Sequence, residues 1–168
     1  ERQTPPLPQT TLERQIQLLM TIRWTLKTFQ ELTPDELYAA LRLRSEVFVV
    51  EQQCVFLDMD NKDQPCHHLL GWQGDHLAAC TRIVPPGLSY DNYPSIGRVV
   101  TSPAARGQGM GRILMEESIR VTEALYGKRA IRIGAQLYLK KFYESLGFEQ
   151  SSEVYDEDGI DHIEMTRP

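Results

Sequence analysis

A short stretch with two arginines and three glycines has the clearest chemical potential in this sequence. Arg106, Gly107, Gly109, Gly111 and Arg112 stand between an apolar run and a segment with helical spacing. Glycine has no Cβ atom, so the main chain can curl there and bring several amides to one point. The first amides of a helix have no partner within it and lie at the positive end of its dipole. The stretch therefore predicts an anion site, with a diphosphate as the natural guest.

Two common phosphate-binding motifs do not fit this stretch. A P-loop requires lysine and then serine or threonine after its last glycine, but Arg112 and Ile113 follow Gly111. A dinucleotide-binding turn has the spacing G-x-G-x-x-G and an acidic ribose partner; the spacing here is G-x-G-x-G, and no acidic residue stands at the partner's position. A plain glycine-rich turn without a ligand is the alternative. The arginine before the turn and the amphipathic helix after it favour the anion site.

The elements that must position this turn follow from helix caps and apolar periodicity. Thr33, Pro34 and Glu36 form a capping box that predicts a helix to about residue 50. A second helix is expected from the glycine turn to about residue 126, and a third over 137–146 that ends at Gly147. Alternating residues predict strands at 22–29, 67–72, 76–84, 95–101, 130–135, 148–155 and 162–167. This order indicates one α/β domain with a mixed, mostly antiparallel twisted sheet of about six to seven strands flanked by helices.

The chain is predicted to have two parts. Residues 1–20 form an N-terminal extension, in which a polar, proline-containing lead-in is expected to be disordered and residues 12–20 are expected to form a short helix. Residues 21–168 form the domain itself. The extra helix and the edge strands of the sheet leave a homodimer open.

Composition and cysteine usage exclude several classes of function. The 18 basic and 23 acidic residues give a net charge of -5, which argues against nonspecific nucleic-acid binding. No apolar run reaches the roughly 18 residues that a membrane span needs, and the first residues lack the apolar core of a secretory leader. Cys54, Cys66 and Cys80 do not have zinc-site spacing. They predict reduced thiols in a cytoplasmic protein, with a Cys54–Cys66 disulfide left open.

Several segments together resemble one protein family. The pattern Arg106-x-x-Gly109-x-Gly111 resembles the acetyl-coenzyme A motif of the GNAT superfamily of N-acetyltransferases. The segment 142–148, FYESLGF, resembles the family's F-Y-x-x-x-G-F segment after the fifth strand. Residues 43–52, 96–100 and 154–163 are similar to the ElaA-like branch of the superfamily. The resemblance covers about residues 22–167 and leaves the first twenty residues outside.

The resemblance implies the fold, the reaction and the cofactor site. It implies an N-acetyltransferase that moves acetyl from acetyl-CoA to a primary amine by direct attack in a ternary complex, with no metal. Main-chain amides of the glycine turn would hold the pyrophosphate, and residues 99–101 would pair with pantetheine as an added strand. Gln136 stands where many family members have asparagine. The implied cofactor-binding residues are Val99, Val100, Thr101, Arg106, Gly107, Gln108, Gly109, Met110, Gly111, Arg112 and Gln136.

The resemblance also implies the general acid, and the reaction itself requires a base. Tyr143 occupies the family's position for the general acid that protonates the departing thiolate. The amine must lose a proton before it attacks, and Glu51 at the end of the first long helix is the first candidate for that base. His67, His68 and His162 are alternatives, as is a chain of water molecules. The cysteines are assigned structural roles, since an amine attacks the thioester without a protein nucleophile.

Clustered carboxylates suggest what the acceptor is. One cluster comprises Glu153, Asp156, Glu157, Asp158, Asp161 and Glu164, and a second comprises Asp58, Asp60 and Asp63. If both approach the acceptor side, they would attract a protonated amine. The predicted acceptor is therefore cationic: a polyamine-like or aminated small molecule, a lysine side chain or an N-terminus. Two non-enzymatic alternatives are a sensor that binds an acyl-CoA and an interaction module built on the same fold.

Overall fold

Two four-stranded antiparallel sheets lie at the centre of the molecule, which a computed structural model describes over residues 10–168. The strands are β1 (Ile22–Thr28), β2 (His67–Gln73), β3 (His76–Val84), β4 (Ser95–Thr101), β5 (Ile131–Gln136), β6 (Glu149–Gln150), β7 (Tyr155–Glu157) and β8 (Ile160–Arg167). The first sheet has the order β1-β2-β3-β4, and in the second β8 pairs with β5, β6 and β7. Every ladder between the described strands is antiparallel.

Helices flank the sheets, and the predicted capping box starts one of them. The Thr33 hydroxyl accepts the Glu36 amide at 3.2 Å, and the Glu36 carboxylate accepts the Thr33 amide at 3.0 Å. A π-helical turn, Ser45–Glu51, continues this helix and places Glu51 at its end. No helix within residues 10–168 is long and apolar enough to cross a membrane. The α-helices are α1 (Thr11–Thr21), α2 (Pro34–Arg44), α3 (Met110–Tyr126) and α4 (Lys140–Glu144).

Helix α3 begins at the glycine turn and is fixed by its apolar face. Met110, Leu114 and Met115 are fully buried in the core, whereas Glu116 on the other face is exposed. The helix packs against β3, which is buried along its whole length after His76. Burial of this face anchors the first turn of α3 next to the end of β4.

The two sheets meet where β4 and β5 begin. The Arg132 amide donates to the Pro94 carbonyl at 3.1 Å, which joins the starts of both strands. No ladder links β4 to β5 among the described residues, and a cleft lies between their later halves. The α/β class and the mostly antiparallel pairing are confirmed, and the expected single sheet is divided at this point into two.

The predicted strand at 148–155 is interrupted, because two serines disturb the ladder. From the pair Gln150↔Met165 to the pair Tyr155↔His162, the segment at 148–155 moves along by five residues, whereas β8 moves along by three. The Ser152 hydroxyl accepts the Glu164 amide at 2.8 Å, in place of a ladder carbonyl. The strand is therefore split into β6 and β7, and residues 10–168 contain eight strands instead of six or seven.

The N-terminal extension is described only in part. Its predicted helix is confirmed as α1, on which Leu12 and Ile16 are exposed. Most of the predicted disordered lead-in, residues 1–9, lies outside the described residues. The division of the chain at residue 20 stays a prediction.

Candidate active site

A cleft of about 460 Å³ separates the later halves of β4 and β5. The end of the helical segment at 45–51, the loop at 52–56, α4 and the turn before β8 complete its walls. Eight of the residues predicted from the sequence line it: Glu51, Val99, Val100, Thr101, Arg106, Gln136, Tyr143 and His162. Residues from six separate elements of the chain therefore meet in one cavity.

The glycine turn beside this cleft presents a series of free main-chain amides. Gly107 and Gly109 have φ angles of 77° and 78°, which lie in the left-handed region that glycine adopts without strain. The first main-chain bond of α3 runs from the Ile113 amide to the Gly109 carbonyl at 3.2 Å. The amides from Gly107 to Arg112 have no acceptor within residues 10–168. Left-handed glycines thus curl the chain so that unpaired donors precede and begin the helix, as an anion cradle requires.

The side chains of this turn contribute less than the main chain. Met110 is 1% exposed and packs in the core, so only its amide is available to a ligand. The Arg112 guanidinium lies 3.1 Å from the Glu116 carboxylate and donates to the Ser145 hydroxyl at 2.9 Å. Because its guanidinium is engaged by Glu116 and Ser145, the main-chain amide of Arg112 is the group that remains to make the predicted phosphate contact.

Arg106 links the cradle to the helix on the opposite wall. Its Nη1 atom lies 2.7 Å from Oε1 of Glu51, and its Nη2 atom lies 3.5 Å from the Thr101 carbonyl. The carboxylate predicted to act as the base is thus already paired with the arginine predicted to bind phosphate. This pairing places Glu51 at the end of the cleft next to the glycine turn.

Strand β4 is the open edge of the first sheet. Its inner edge pairs with β3, and the ladder register shifts between Cys80↔Val100 and Arg82↔Gly97. One residue of β3 therefore faces Arg98 and Val99, which form a β-bulge, and Arg98 has a φ angle of 49°. The outer edge faces the cleft along residues 96–101. An extended amide-bearing arm could add to this edge as a further strand.

Tyr143 is held in the core but reaches the cleft. The residue is 5% exposed and packs edge-on against Phe142 and Phe148, with ring centroids 5.1 and 6.0 Å apart. Burial raises the pKa of the Tyr143 hydroxyl to about 12, so it stays protonated at neutral pH. It is therefore available as a proton donor.

Gln136 and the predicted histidines are distributed unequally around the cleft. Gln136, at the end of β5, donates its side-chain amide to Gln52 at 3.4 Å across the cleft. His162 lines the cleft opposite β4. His67 and His68 lie on β2 and do not line it, and His68 is buried with Nε2 2.9 Å from the Asp63 carbonyl. Of the three histidines, only His162 can contact a ligand in this cavity.

The predicted second acidic patch is wrong as an acceptor-attracting surface, because three arginines neutralise it. Its carboxylates, Asp58, Asp60 and Asp63, pair with arginines from α2, β3 and β4 over distances of 2.7 to 3.5 Å. The arginines are Arg44, Arg82 and Arg98. Asp58, Asp63, Arg44 and Arg82 are all less than 9% exposed. This ion-pair network anchors the loop at 58–63 against the first sheet.

The acidic cluster near the C-terminus stays exposed. Glu153, Asp156, Glu157, Asp158 and Asp161 are on the surface, and Glu164 is half-buried. Glu157 and Asp158 also line the cleft. No lysine or arginine among the described residues pairs with the side chains of this cluster. This end of the cleft is therefore negatively charged.

The thiols are free and two of them are unreactive. Cys54, Cys66 and Cys80 form no disulfide, which answers the open question of a Cys54–Cys66 bridge. Burial raises the pKa of the Cys66 thiol to about 11 and that of Cys80 to about 12. Cys54 lines the cleft, where its Sγ lies 3.4 Å from the Asp158 carbonyl.

Arg98 is the functional-site residue that sequence reasoning missed. It lines the cleft from the bulge, and its Nε lies 2.9 Å from the Asp58 carboxylate. The nearby Phe56 ring, which also lines the cleft, is 5.8 Å from its guanidinium carbon. The only signal in the sequence is an arginine followed by Val99 and Val100 within a strand, which breaks the apolar alternation. Such a break is too common to identify a site by itself.

Comparisons with known proteins agree with this architecture. The family model described as an acetyltransferase (GNAT) domain matches residues 32–167. Protein ElaA of Escherichia coli is 40% identical over 148 residues, which cover 87% of this chain and 96% of ElaA. Its crystal structure superposes with a TM-score of 0.81 over 88% of this chain and 99% of that one.

Two further solved structures show how far the similarity extends. An acyl-CoA N-acyltransferase from Pseudomonas aeruginosa has a TM-score of 0.83 at 43% identity and covers 88% of this chain and 99% of its own. A GNAT family acetyltransferase from Elizabethkingia anophelis, with acetyl-CoA bound, has a TM-score of 0.62 at 14% identity, over 88% and 97% of the two chains. The second likeness is one of fold alone.

Proposed function

This chain belongs to the GNAT acetyltransferase family, and on that premise we propose that it transfers an acetyl group from acetyl-CoA to a primary amine by direct attack in a ternary complex. The observation that carries the proposal is the row of unpaired amides from Gly107 to Arg112, which stands beside a cleft with an open strand edge. A diphosphate and an amide-bearing arm, both parts of coenzyme A, match these two features. The E. anophelis protein with the same fold binds acetyl-CoA.

The residues that would hold acetyl-CoA follow the order of its parts, from the pyrophosphate through pantetheine to the thioester. The amides of residues 107–112 would take the pyrophosphate, and Arg106 would add charge there after leaving Glu51. The outer edge of residues 99–101 would pair with pantetheine, with Gln136 on the facing strand. An amide of the β4 edge would polarise the thioester carbonyl, which develops negative charge during attack. Tyr143 would protonate the departing thiolate, because its buried hydroxyl keeps its proton at neutral pH.

The acceptor we propose is a cationic amine, either a polyamine-like small molecule or a lysine or N-terminal amine. Glu157 and Asp158 form the acidic end of the cleft, next to the exposed carboxylates of the C-terminal cluster. Such a wall raises the local concentration of protonated amines. A preference for anionic acceptors over polycations would contradict this part of the proposal. The free thiols support a cytoplasmic location.

Calorimetry tests the cofactor site with a matched pair of substitutions. Gly109→Val places a β-branched residue at a φ angle of 78° within the cradle. Gly74→Val imposes the same strain at a φ angle of 59° in the β2–β3 turn, outside the cleft. Both should lose about 1–2 kcal/mol of stability. We expect acetyl-CoA binding to be lost in Gly109→Val only; equal binding by both variants would overturn the site.

Thiol release separates the enzyme from a sensor. We expect free coenzyme A to appear when acetyl-CoA and a panel of small amines, polyamines and lysyl peptides are mixed with the protein. A sensor would bind acetyl-CoA and release no thiol with any amine. Release that does not depend on the amine would indicate hydrolysis instead of transfer.

A further inference from the structure

His162 stands at a fixed point in the wall of the cleft. It lies on the central strand of the second sheet, where β8 pairs with β5 at Gln136 and with β7 at Tyr155. Its side chain is 13% exposed, and it lines the cleft that also contains Tyr143. The ring is therefore largely enclosed by the protein, with its accessible part directed into the cavity.

One hydrogen bond fixes the tautomer of this ring. Nδ1 of His162 lies 2.7 Å from the Ile160 carbonyl oxygen. A carbonyl can only accept, so Nδ1 carries a proton and donates it. In the neutral ring Nε2 then has a free lone pair. The Glu157 carboxylate lies 3.5 Å from Nε2.

Two neighbours on β7 lie against this ring and hold its orientation. The Tyr155 ring stacks on His162 with centroids 5.9 Å apart and planes 29° apart. The Glu157 carboxylate beside it offers a route for the proton that the ring takes up. Its side chain is 53% exposed, so a proton can pass from this site to water. The Ile160 carbonyl, the Tyr155 ring and the Glu157 carboxylate thus orient the imidazole. The proton that the imidazole accepts can pass from this site to water.

The other candidates for the base lie away from the acidic end of the cleft. Glu51 is paired with Arg106 at 2.7 Å, at the end of the cleft next to the phosphate cradle. His67 and His68 lie outside the cleft. His162 lies at the acidic end, where a cationic acceptor would enter.

We infer that His162 is the general base that accepts a proton from the attacking amine; this inference rests on the proposed acetyl transfer. The ammonium form of the acceptor gives one proton to Nε2, and the neutral nitrogen attacks the thioester carbonyl carbon. The C–N bond forms as the C–S bond breaks, and Tyr143 protonates the departing thiolate. The second proton of the nitrogen restores Tyr143, and the proton on His162 passes by Glu157 to water. One proton is released in each turnover.

The pH dependence of the reaction tests this base, and the charged groups around it have to be considered with it. Glu157 and Tyr155 face the ring from β7, and Asp158 lies in the turn before β8. The remaining charges in the cleft are Glu51, Arg98 and Arg106. Among these groups, the unpaired bases at the acceptor end are the Glu157 and Asp158 carboxylates, and these would bind the substrate. The acidic limb of the kcat/KM profile should therefore belong to His162.

His162→Asn tests the inference, because the asparagine amide can still donate to the Ile160 carbonyl while Nε2 is removed. We expect kcat/KM for the amine to fall about 10²–10⁴-fold at neutral pH. The acidic limb should be lost, so that the rate follows the amine's own ionisation, and acetyl-CoA affinity should be unchanged. The matched control is His76→Gln, an exposed histidine outside the cleft, which should keep the wild-type profile. Added imidazole should restore part of the rate in His162→Gly.

Distinct results would overturn each level of the proposal. A pH profile and rate equal to wild type in His162→Asn would remove His162 from the reaction, with the acetyltransferase itself intact. A reduced rate with the acidic limb retained, and no rescue by imidazole in His162→Gly, would assign it a structural role only. Failure of the wild-type protein to bind acetyl-CoA or to release thiol would instead refute the function on which the inference rests.

Discussion

Replacement of Asp63 by asparagine should strongly destabilise the fold, because the residue joins two buried arginines. Its Oδ1 lies 2.8 Å from Nη1 of Arg44 and 3.0 Å from Nη1 of Arg82, and its Oδ2 accepts Nη2 of Arg44 at 3.2 Å. Asp63 is 6% exposed, Arg44 3% and Arg82 6%. Asp63→Asn keeps the volume and one acceptor oxygen but removes the charge. Three arginines would then share two carboxylates, Asp58 and Asp60.

The expected loss follows from the burial of these groups. Removal of one partner from a buried ion pair costs about 3–5 kcal/mol, because the other charge is left without compensation. An exposed pair would contribute about 0–1 kcal/mol. For a chain of this size, about 2–4 °C per kcal/mol gives a melting point lower by roughly 6–20 °C. The arginines here are buried, so the larger value applies.

Urea unfolding measures this effect against a matched substitution. Asp75→Asn makes the same chemical change in the exposed β2–β3 turn, where no ion pair of the described residues involves Asp75. It should change the free energy of unfolding by less than about 0.5 kcal/mol. The two variants should have the same m-value, so that the midpoints compare directly. A loss below about 1 kcal/mol for Asp63→Asn would mean that the network behaves as a solvated surface, and the structural argument would be wrong.

Two other predictions concern acid and catalysis. Burial alone would raise the pKa of Asp60 and Asp63, but hydrogen bonds from Arg82 and Arg44 lower both below the usual range. Their stabilisation is therefore complete above the unfolded-state pKa of about 3.9 and is lost as the pH falls below it towards the folded-state pKa values; Asp63→Asn should lose part of this acid sensitivity in unfolding curves, and an unchanged slope would contradict the assignment. Tyr143→Phe should lower kcat by about 10²–10⁴-fold with acetyl-CoA affinity unchanged in calorimetry, since only the proton donor is removed. An unchanged kcat would exclude Tyr143 as the acid.

The parts of the site that the sequence predicts are those encoded locally. The cradle needs only consecutive residues, since left-handed glycines and a helix start are recognisable within 106–112. Tyr143 is found from a short segment that resembles the family's own. The open edge of residues 99–101 follows from the same resemblance. In each case the chemistry depends on the main chain or on one residue with its immediate neighbours.

The failures concern contacts between distant parts of the chain. Asp58 and Asp63 appear as solvated carboxylates in the sequence because their partner Arg44 precedes them by 14 and 19 residues. Nothing in a local pattern distinguishes a carboxylate that faces solvent from one that faces an arginine on a neighbouring element. The pairing of Glu51, the first predicted candidate for the base, is hidden in the sequence for the same reason, since its partner Arg106 lies 55 residues further along the chain. Charge complementarity at long range is visible only once the chain is folded.

The misread aspartates are nonetheless connected to the proposed chemistry. Arg98 has a φ angle of 49°, an unfavourable value for a residue with a Cβ atom, within the bulge of the cofactor edge. Its guanidinium lies 2.9 Å from the Asp58 carboxylate and donates to the Asp58 carbonyl at 3.2 Å. Asp58 in turn is held by Arg44 at 2.7 Å from α2. Local strain persists only where the surroundings over-determine the conformation. The network that stabilises the loop at 58–63 therefore also holds the β4 edge in its bulged shape, to which we propose that pantetheine adds.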